Sequence, residues 1–297
     1  MSTSNPQLPQ VDAGPGADRV TDEVRPAPDA EAEASTTTSE IPTALVRAMT
    51  AVHSLGIEAV RLYHRLDVTL PPDRLEDRPH LFVANHGFGT IFDLNVFATF
   101  AALDRLRLSR PVTALTHEVA WSLRVGKLIE TLGARPASRA AAMDAFARGE
   151  HVLVFPGGDL DGGKPFIHRN KIVFGSRRGF ARLAVEADVP IVPIVTAGAG
   201  ESLLVLSDGR WLASALGLDK RLRMNTLPVS VSLPWGVSLG GVGLLPHLPL
   251  PTKLRTTVLA ATRPRPGESV EEYGDRVQTT MQATLDDLTR GRRLILG

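Results

Sequence analysis

From Leu81 onward the chain alternates short apolar runs with segments of helical period, and few folds accommodate that order. A strand followed by a helix and another strand favours parallel pairing, because the crossover is too long for a hairpin and its helix must cover a face of the sheet. Strand candidates fall at 81–85, 111–116, 152–155, 190–196, 227–233 and 254–261. Helices are expected over 93–106, 121–132, 138–148, 177–187 and 211–216. A last one follows the capping box Ser269-Val-Glu-Glu272 and runs over 273–288. The fold class is therefore α/β: a mostly parallel central sheet flanked by helices, with an amphipathic helix ahead of it.

That helix spans 43–66, with Leu45, Met49, Val52, Ala59, Tyr63 and Leu66 on one stripe and Arg47, Ser54, Glu58, Arg61 and Arg65 opposite. It either packs on the domain behind it or rests its basic flank on an anionic bilayer. Before it, residues 1–40 hold eight acids against two bases, so in a chain of net charge +1 they carry −6 and the remainder carries +7. Their proline, alanine, serine, threonine and acidic bias marks a disordered tail. The chain thus divides into an acidic tail (1–40), an amphipathic helical segment (41–72), an α/β domain (73–265) and a C-terminal helix (266–297).

The basic body suits an anionic surface or co-substrate, but lacks the clustered basicity of a nucleic-acid binder, so no nucleic-acid partner is expected. With no cysteine there are no disulfides, thiol nucleophile or thiolate metal ligands, and no histidine set has zinc-ligand spacing. The N-terminus has no secretion-signal pattern, so the chain reads as staying in the cytoplasm. The longest uncharged window, 224–252, is long enough to span a bilayer. Pro228, Pro234, Pro246, Pro249 and Pro251, with Gly236, Gly240, Gly241 and Gly243, exclude one continuous spanning helix there. A strand and an apolar loop around 244–250 fit better, and no transmembrane helix is expected.

Chemistry concentrates at two strand ends. Leu81-Phe-Val-Ala-Asn85-His86-Gly87-Phe-Gly89 is a buried strand delivering a histidine into a glycine-permissive turn that reaches Asp93. A carboxylate beside an imidazole fixes its tautomer and stabilises its cation, as a general base requires. The second stretch, His151 to Pro165, ends a strand in Phe155-Pro156-Gly157-Gly158-Asp159-Leu-Asp161-Gly-Gly-Lys164. Bare backbone N–H groups and charged side chains meet there, at the carboxyl end of the sheet where open parallel sheets bind ligands.

Taken in order, these pieces resemble the lysophospholipid and glycerolipid acyltransferase superfamily, and more closely its branch of monoacylglycerol and diacylglycerol acyltransferases. The first motif matches Asn85-His86 through Asp93, and the second matches Gly133 followed by Arg139. The third, usually Phe-Pro-Glu-Gly, stands here as Phe155-Pro156-Gly157-Gly158, and the fourth as Val189-Pro190-Ile-Val-Pro193-Ile194. Two departures stand out: six residues instead of four separate His86 from Asp93, and Gly157 replaces the acid of the third motif. That acid's function then passes to Asp159 or Asp161.

The resemblance implies a peripheral membrane O-acyltransferase moving a fatty acyl group from acyl-CoA or an acyl carrier protein to a glycerolipid hydroxyl. The acceptor would be a lysophospholipid or a mono- or diacylglycerol, with His86 as general base and Asp93 orienting it. Arg139 would bind a phosphate, with help from Lys164, Arg169 or Arg177. Asn85, Gly87, Phe155, Pro156, Gly157, Gly158, Asp159 and Asp161 complete the implied substrate site. No bound cofactor or metal is implied, since acyl-CoA enters as a co-substrate. His117-Glu118, at another strand end, rivals His86. Two other readings are an esterase built on Ser238 of Gly236-Val-Ser238-Leu-Gly240 and a non-catalytic lipid-binding protein. The esterase reading requires a strand-to-helix nucleophile elbow with a later acid and histidine.

Overall fold

The structure, a computed structural model, describes residues 43–88, 93–116, 129–218, 226–239 and 247–297. The acidic segment 1–40 lies outside them. Helix α1 (Thr43–Tyr63) leads into β1 (Asp67–Thr69), β2 (Leu81–Ala84), α2 (Leu94–Leu106), β3 (Val112–Thr116) and β4 (Ala134–Pro136). Then come α3 (Arg139–Ala147), β5 (His151–Val154), the single turn α4 (Asp159–Gly162), α5 (Gly179–Glu186) and β6 (Ile191–Ala197). An excursion supplies β7 (Leu204–Ser207), α6 (Arg210–Ala215), β8 (Val229–Ser232) and β9 (Gly236–Leu239). The chain then returns through β10 (Arg255–Val258) to α7 (Val270–Thr289).

The central sheet has the order β1-β10-β6-β2-β5-β3-β4. From β6 to β4 every pairing is parallel, and β10 lies antiparallel to β6. Strand β2 shows why its sequence is apolar throughout: helices cover both faces, so no position is left for a polar residue. Leu81 and Val83 pack under α3, α5 and α7 with Ala142, Phe180, Ala181, Tyr273 and Met281. Phe82 and Ala84 point the other way, into a cluster with Ala102 and Leu103 of α2. The capping box at the start of α7 forms as the sequence implies, with Ser269 and Glu272 satisfying one another's backbone N–H groups.

Two sequence expectations are corrected. The buried face of α1 is set by Ile57 and Val60, while Val52, Ala59 and Tyr63 are exposed. The reason is Gly56: a Cβ there would lie 3.0 Å from the Phe97 ring, so bare backbone lets α1 settle on α2 at this point and turns the expected stripe outward. The segment 227–233 does form a strand, but it belongs to a separate three-stranded antiparallel sheet, β7-β8-β9, and not to the central one. The short strands β1, β4, β7 and β9 escape a sequence reading, since three or four residues show too little periodicity. Most of the helix expected over 121–132 lies outside the described residues, as do the side chains of Leu45 and Met49.

Candidate active site

The site lies where β2, β5 and β6 end. Asn85, just past β2, uses its amide as an extra rung of the sheet: Oδ1 accepts from the Thr196 N–H at 2.9 Å and Nδ2 donates to the Thr196 carbonyl at 3.1 Å. Its own carbonyl accepts from the Asn95 side chain at 2.9 Å. These bonds fix the chain direction as it leaves the strand.

Asp93 then has two tasks. As the N-cap of α2 it accepts from the Asn95 N–H at 2.9 Å, and its second oxygen lies 2.7 Å from His86 Nδ1. The Gly87 N–H donates to the same carboxylate at 3.2 Å. The side chain of Asp93 is completely buried, and the helix N-terminus favours its negative charge. With Asp93 ionised, the proton of His86 sits on Nδ1, which leaves Nε2 as an acceptor. The longer spacing between the two residues is therefore no obstacle to a dyad. Closure needs Gly87, where a Cβ would meet Ala199 Cβ at 2.6 Å and the Asp93 and Asn95 side-chain oxygens at 3.0 Å.

The third motif braces the same turn from below. The Asp161 side chain is fully buried and accepts three hydrogen bonds of 2.8 Å, from the His86 N–H, the Val173 N–H and Lys164 Nζ. Lys164 also donates to the His86 carbonyl at 3.0 Å. A buried ion pair thus grips the main chain of His86 on both sides. Lys164, expected as a phosphate ligand, is consumed in this brace and is only 6% exposed. The missing acid of the motif is explained by backbone geometry. Gly157 has φ +89°, and a Cβ on it would lie 2.5 Å from the Val173 carbonyl oxygen and 2.8 Å from Asp161 Cβ. A side chain at 157 would clash with both, and the carboxylate of Asp161, expected in the substrate site, is fully buried and serves the brace instead. The Asp159 side chain lies outside the described residues.

The His86 ring is 5.0 Å from that of Phe155, centroid to centroid. Phe155 and Pro156 begin a groove of about 320 Å³ that also involves Arg139, Arg177, Phe180 and Leu183. Of the arginines expected to hold a phosphate, Arg139 is paired across the groove with Glu186, Nε to Oε2 at 2.8 Å. Arg177 donates to the Gly157 carbonyl at 2.5 Å and backs Gly158. Arg169 lies 4.2 Å over the Phe166 ring.

Ser238, the esterase candidate, sits in the middle of β9 opposite Ser230, so the strand-to-helix elbow that reading needs is not there. His117 and Glu118 lie outside the described residues. Asn95 and Thr196, which hold the turn, carry no signal in the sequence. Each is a polar residue at the edge of an apolar element, where capping or solvent exposure explains it equally well.

Residues 65–197 match the family model described as Acyltransferase. Among relatives, a Mycobacterium leprae protein named only as uncharacterized is 31% identical over 224 residues, 72% of this chain and 58% of that protein. A Mycobacterium bovis protein, likewise uncharacterized, is 30% identical over 242 residues, 78% of this chain and 64% of that one. The chain therefore spans less than two thirds of these relatives. A chicken protein named as a DGAT1/2-independent enzyme synthesizing storage lipids is 24% identical over 72% of this chain and 57% of its own length. The crystal structure of a 1-acyl-sn-glycerophosphate acyltransferase from Thermotoga maritima aligns with 83% of this chain and 82% of its own, at 17% identity and a TM-score of 0.49.

Proposed function

We propose that the protein transfers a fatty acyl group from a thioester, acyl-CoA or acyl carrier protein, to a hydroxyl of a glycerolipid such as a lysophospholipid or a mono- or diacylglycerol. The observation that carries this reading is the 2.7 Å contact between His86 and buried Asp93 at the carboxyl end of the sheet, within the segment that matches the Acyltransferase family model. His86 Nε2 takes the proton of the acceptor hydroxyl as its oxygen attacks the thioester carbonyl. Asp93 stabilises the imidazolium. The tetrahedral oxyanion collapses, the C–S bond breaks, and the leaving thiolate takes the proton from Nε2. The C–O bond gained replaces the C–S bond lost. The thioester is already activated, so neither a covalent enzyme intermediate nor a bound cofactor is required.

General-base assistance of this kind is worth roughly 10² to 10⁴-fold. The apolar stretch of the groove beside His86 suits an acyl chain. No helix among the described residues is long and apolar enough to cross a membrane. We place the protein on the cytoplasmic face of a membrane as a peripheral enzyme. The decisive experiment incubates purified protein with labelled acyl-CoA, or acyl carrier protein, and a panel of lysophospholipids, monoacylglycerols and diacylglycerols, then identifies products by mass. Acylated lipid is expected. Release of free fatty acid alone, abolished by Ser238→Ala, would overturn the transferase in favour of a hydrolase.

A further inference from the structure

The three-stranded sheet β7-β8-β9 turns an apolar face outward. Its outward face carries Leu204 and Leu206 from β7, Val231 from β8 and Val237 and Leu239 from β9. Val237 is 71% exposed and Leu239 61%. The register lines Leu204, Val231 and Val237 up as one cross-strand row, and at the end of β8 Leu233 and Trp235 continue the surface, also exposed. On β8 the inward positions are taken by Ser230 and Ser232, which are buried and whose hydroxyls have no partner among the described residues, while β7 turns Val205 inward beside Ser230. A half-buried antiparallel sheet in water shows the opposite alternation, apolar inward and polar outward. No strand of this sheet carries a charged residue.

We infer that this outward face is the surface by which the protein seats itself on a lipid bilayer, with its leucines and valines in the acyl-chain region. Four observations favour a bilayer over a protein partner. Trp211 and Trp235, two of the three tryptophans in the chain, are exposed in this excursion, 73% and 49%, and indole side chains favour the membrane–water boundary. The body of the protein, residues 41–297, carries net +7, complementary to anionic headgroups.

The sheet also continues into a second apolar surface. Leu248, exposed, bridges to Leu233, and the carbonyl of its neighbour Pro249 accepts from Tyr63 Oη at 2.9 Å. Tyr63 ends the exposed stripe of α1 that includes Val52, Leu55 and Leu62. Finally, the face lies close to the chemistry: on the inner side of the sheet, Leu203 and Val205 pack against Phe88, two residues beyond His86. A protein seated this way has its His86 turn backed by the bilayer-bound sheet. The root of the excursion is held by the Arg292–Glu201 pair, Nε to Oε1 at 2.6 Å and almost fully buried, so the face is carried on a firm base.

The inference rests on the proposal that the acceptor is a glycerolipid, and the test keeps the two apart. Full-length protein is mixed with vesicles of phosphatidylcholine and phosphatidylglycerol and floated through a density gradient. Turnover is measured separately with a water-soluble short-chain acceptor and no vesicles. The double variant Val237→Asp/Leu239→Asp alters two exposed side chains, and its fold is checked by circular dichroism. It should lose vesicle binding on the order of 10²-fold while keeping soluble turnover, because two apolar side chains are withdrawn from lipid. His86→Ala should do the reverse: float as the wild type does and turn over nothing. Val185→Asp, an exposed apolar position on α5, should float normally.

Flotation of the double variant equal to that of the wild type overturns the bilayer face, whatever the soluble assay shows. So does a wild type that does not float, or a double variant whose only change is dissociation of an oligomer seen by light scattering. Activity surviving His86→Ala overturns the catalytic proposal and leaves the flotation result standing.

Discussion

Strand β2 has a histidine just beyond each end, and the two are treated in opposite ways. His86, at the carboxyl end, is partly open and has a carboxylate 2.7 Å from Nδ1. His80, at the amino end, is fully buried, and burial lowers its pKa. Beside it His151, which opens β5, is pushed down to about 4, first by burial and then by the neighbouring His80 and Arg110. Neutral His151 is built into the amino end of the sheet, where its Nδ1 accepts from the His80 N–H at 3.1 Å. Environment makes the difference: a histidine given a carboxylate and a groove is equipped to carry a proton, and one buried beside a second imidazole and a guanidinium is held neutral as a packing element.

The comparison breaks most sharply on alanine substitutions at the two ends. For His86→Ala we expect transfer activity to fall by roughly 10² to 10⁴-fold with a smaller loss of melting temperature than at the amino end, since the His86 ring faces the groove and is not fully buried. For His151→Ala we expect the reverse. A buried ring is lost and an N–H is orphaned, at a cost of about 2–4 kcal/mol in denaturant unfolding, while activity per folded molecule stays near normal. Similar activity losses in both variants, with equal stabilities, would remove the distinction between the ends.

A smaller effect is expected from Asp93→Asn. The amide can still cap α2 through its oxygen, so the helix survives, but it cannot stabilise an imidazolium. We expect activity on the order of 10²-fold down and the melting temperature within a few degrees of the wild type. Gly87→Ala tests the same dyad by geometry. Its Cβ would sit 2.6 Å from Ala199 Cβ, so the turn must open, and activity should drop about 10-fold or more as Asp93 and the imidazole separate. If Gly87→Ala is silent, the close approach of this turn has no catalytic consequence.

How much of this was legible before any coordinates is uneven, for physical reasons. The central sheet could be read because β2, β5 and β6 are buried on both faces, and a continuous apolar run leaves a clear mark. The pairing of His86 with Asp93 could be suspected, yet the six-residue gap left its closure open, because whether a turn folds back depends on contacts such as Gly87 with Ala199 that lie far apart in sequence. The role of Asp161 was one of two alternatives. Only the positive φ of Gly157 and its approach to Val173 show why position 157 carries no acid. Lys164 reads as an anion ligand in the sequence because it stands beside glycines, and only its burial shows the brace it belongs to. The outward face of β7-β8-β9 was hidden for the same reason: alternation of serine with valine and leucine defines two faces but does not say which one points inward.

The pH dependence of stability gives the smallest of these effects, and it sharpens the comparison by assigning it a window. The folded-state pKa of His151 is depressed to about 4 and that of His80 is lowered, so between the ordinary histidine value of about 6.5 and pH 4 the unfolded chain binds more protons than the folded one. Stability present above about pH 6.5 is therefore lost progressively as the pH falls toward 4. Protonation of His151 Nδ1 turns the acceptor of the His80 N–H into a donor, which supplies the local mechanism. Carboxylates act lower down: Glu268, held to about 2 by Arg276, contributes stability above the ordinary glutamate range and loses it as the pH falls toward 2. His151→Gln keeps an acceptor for the His80 N–H and cannot titrate. Its melting temperature should fall less than that of the wild type between pH 6.5 and 4.5, with the residual slope left to His80 and His64, whose pKa burial also lowers. Equal slopes in the two proteins would mean that the amino-end pair does not titrate in this range, and the two ends of β2 would then differ in placement alone.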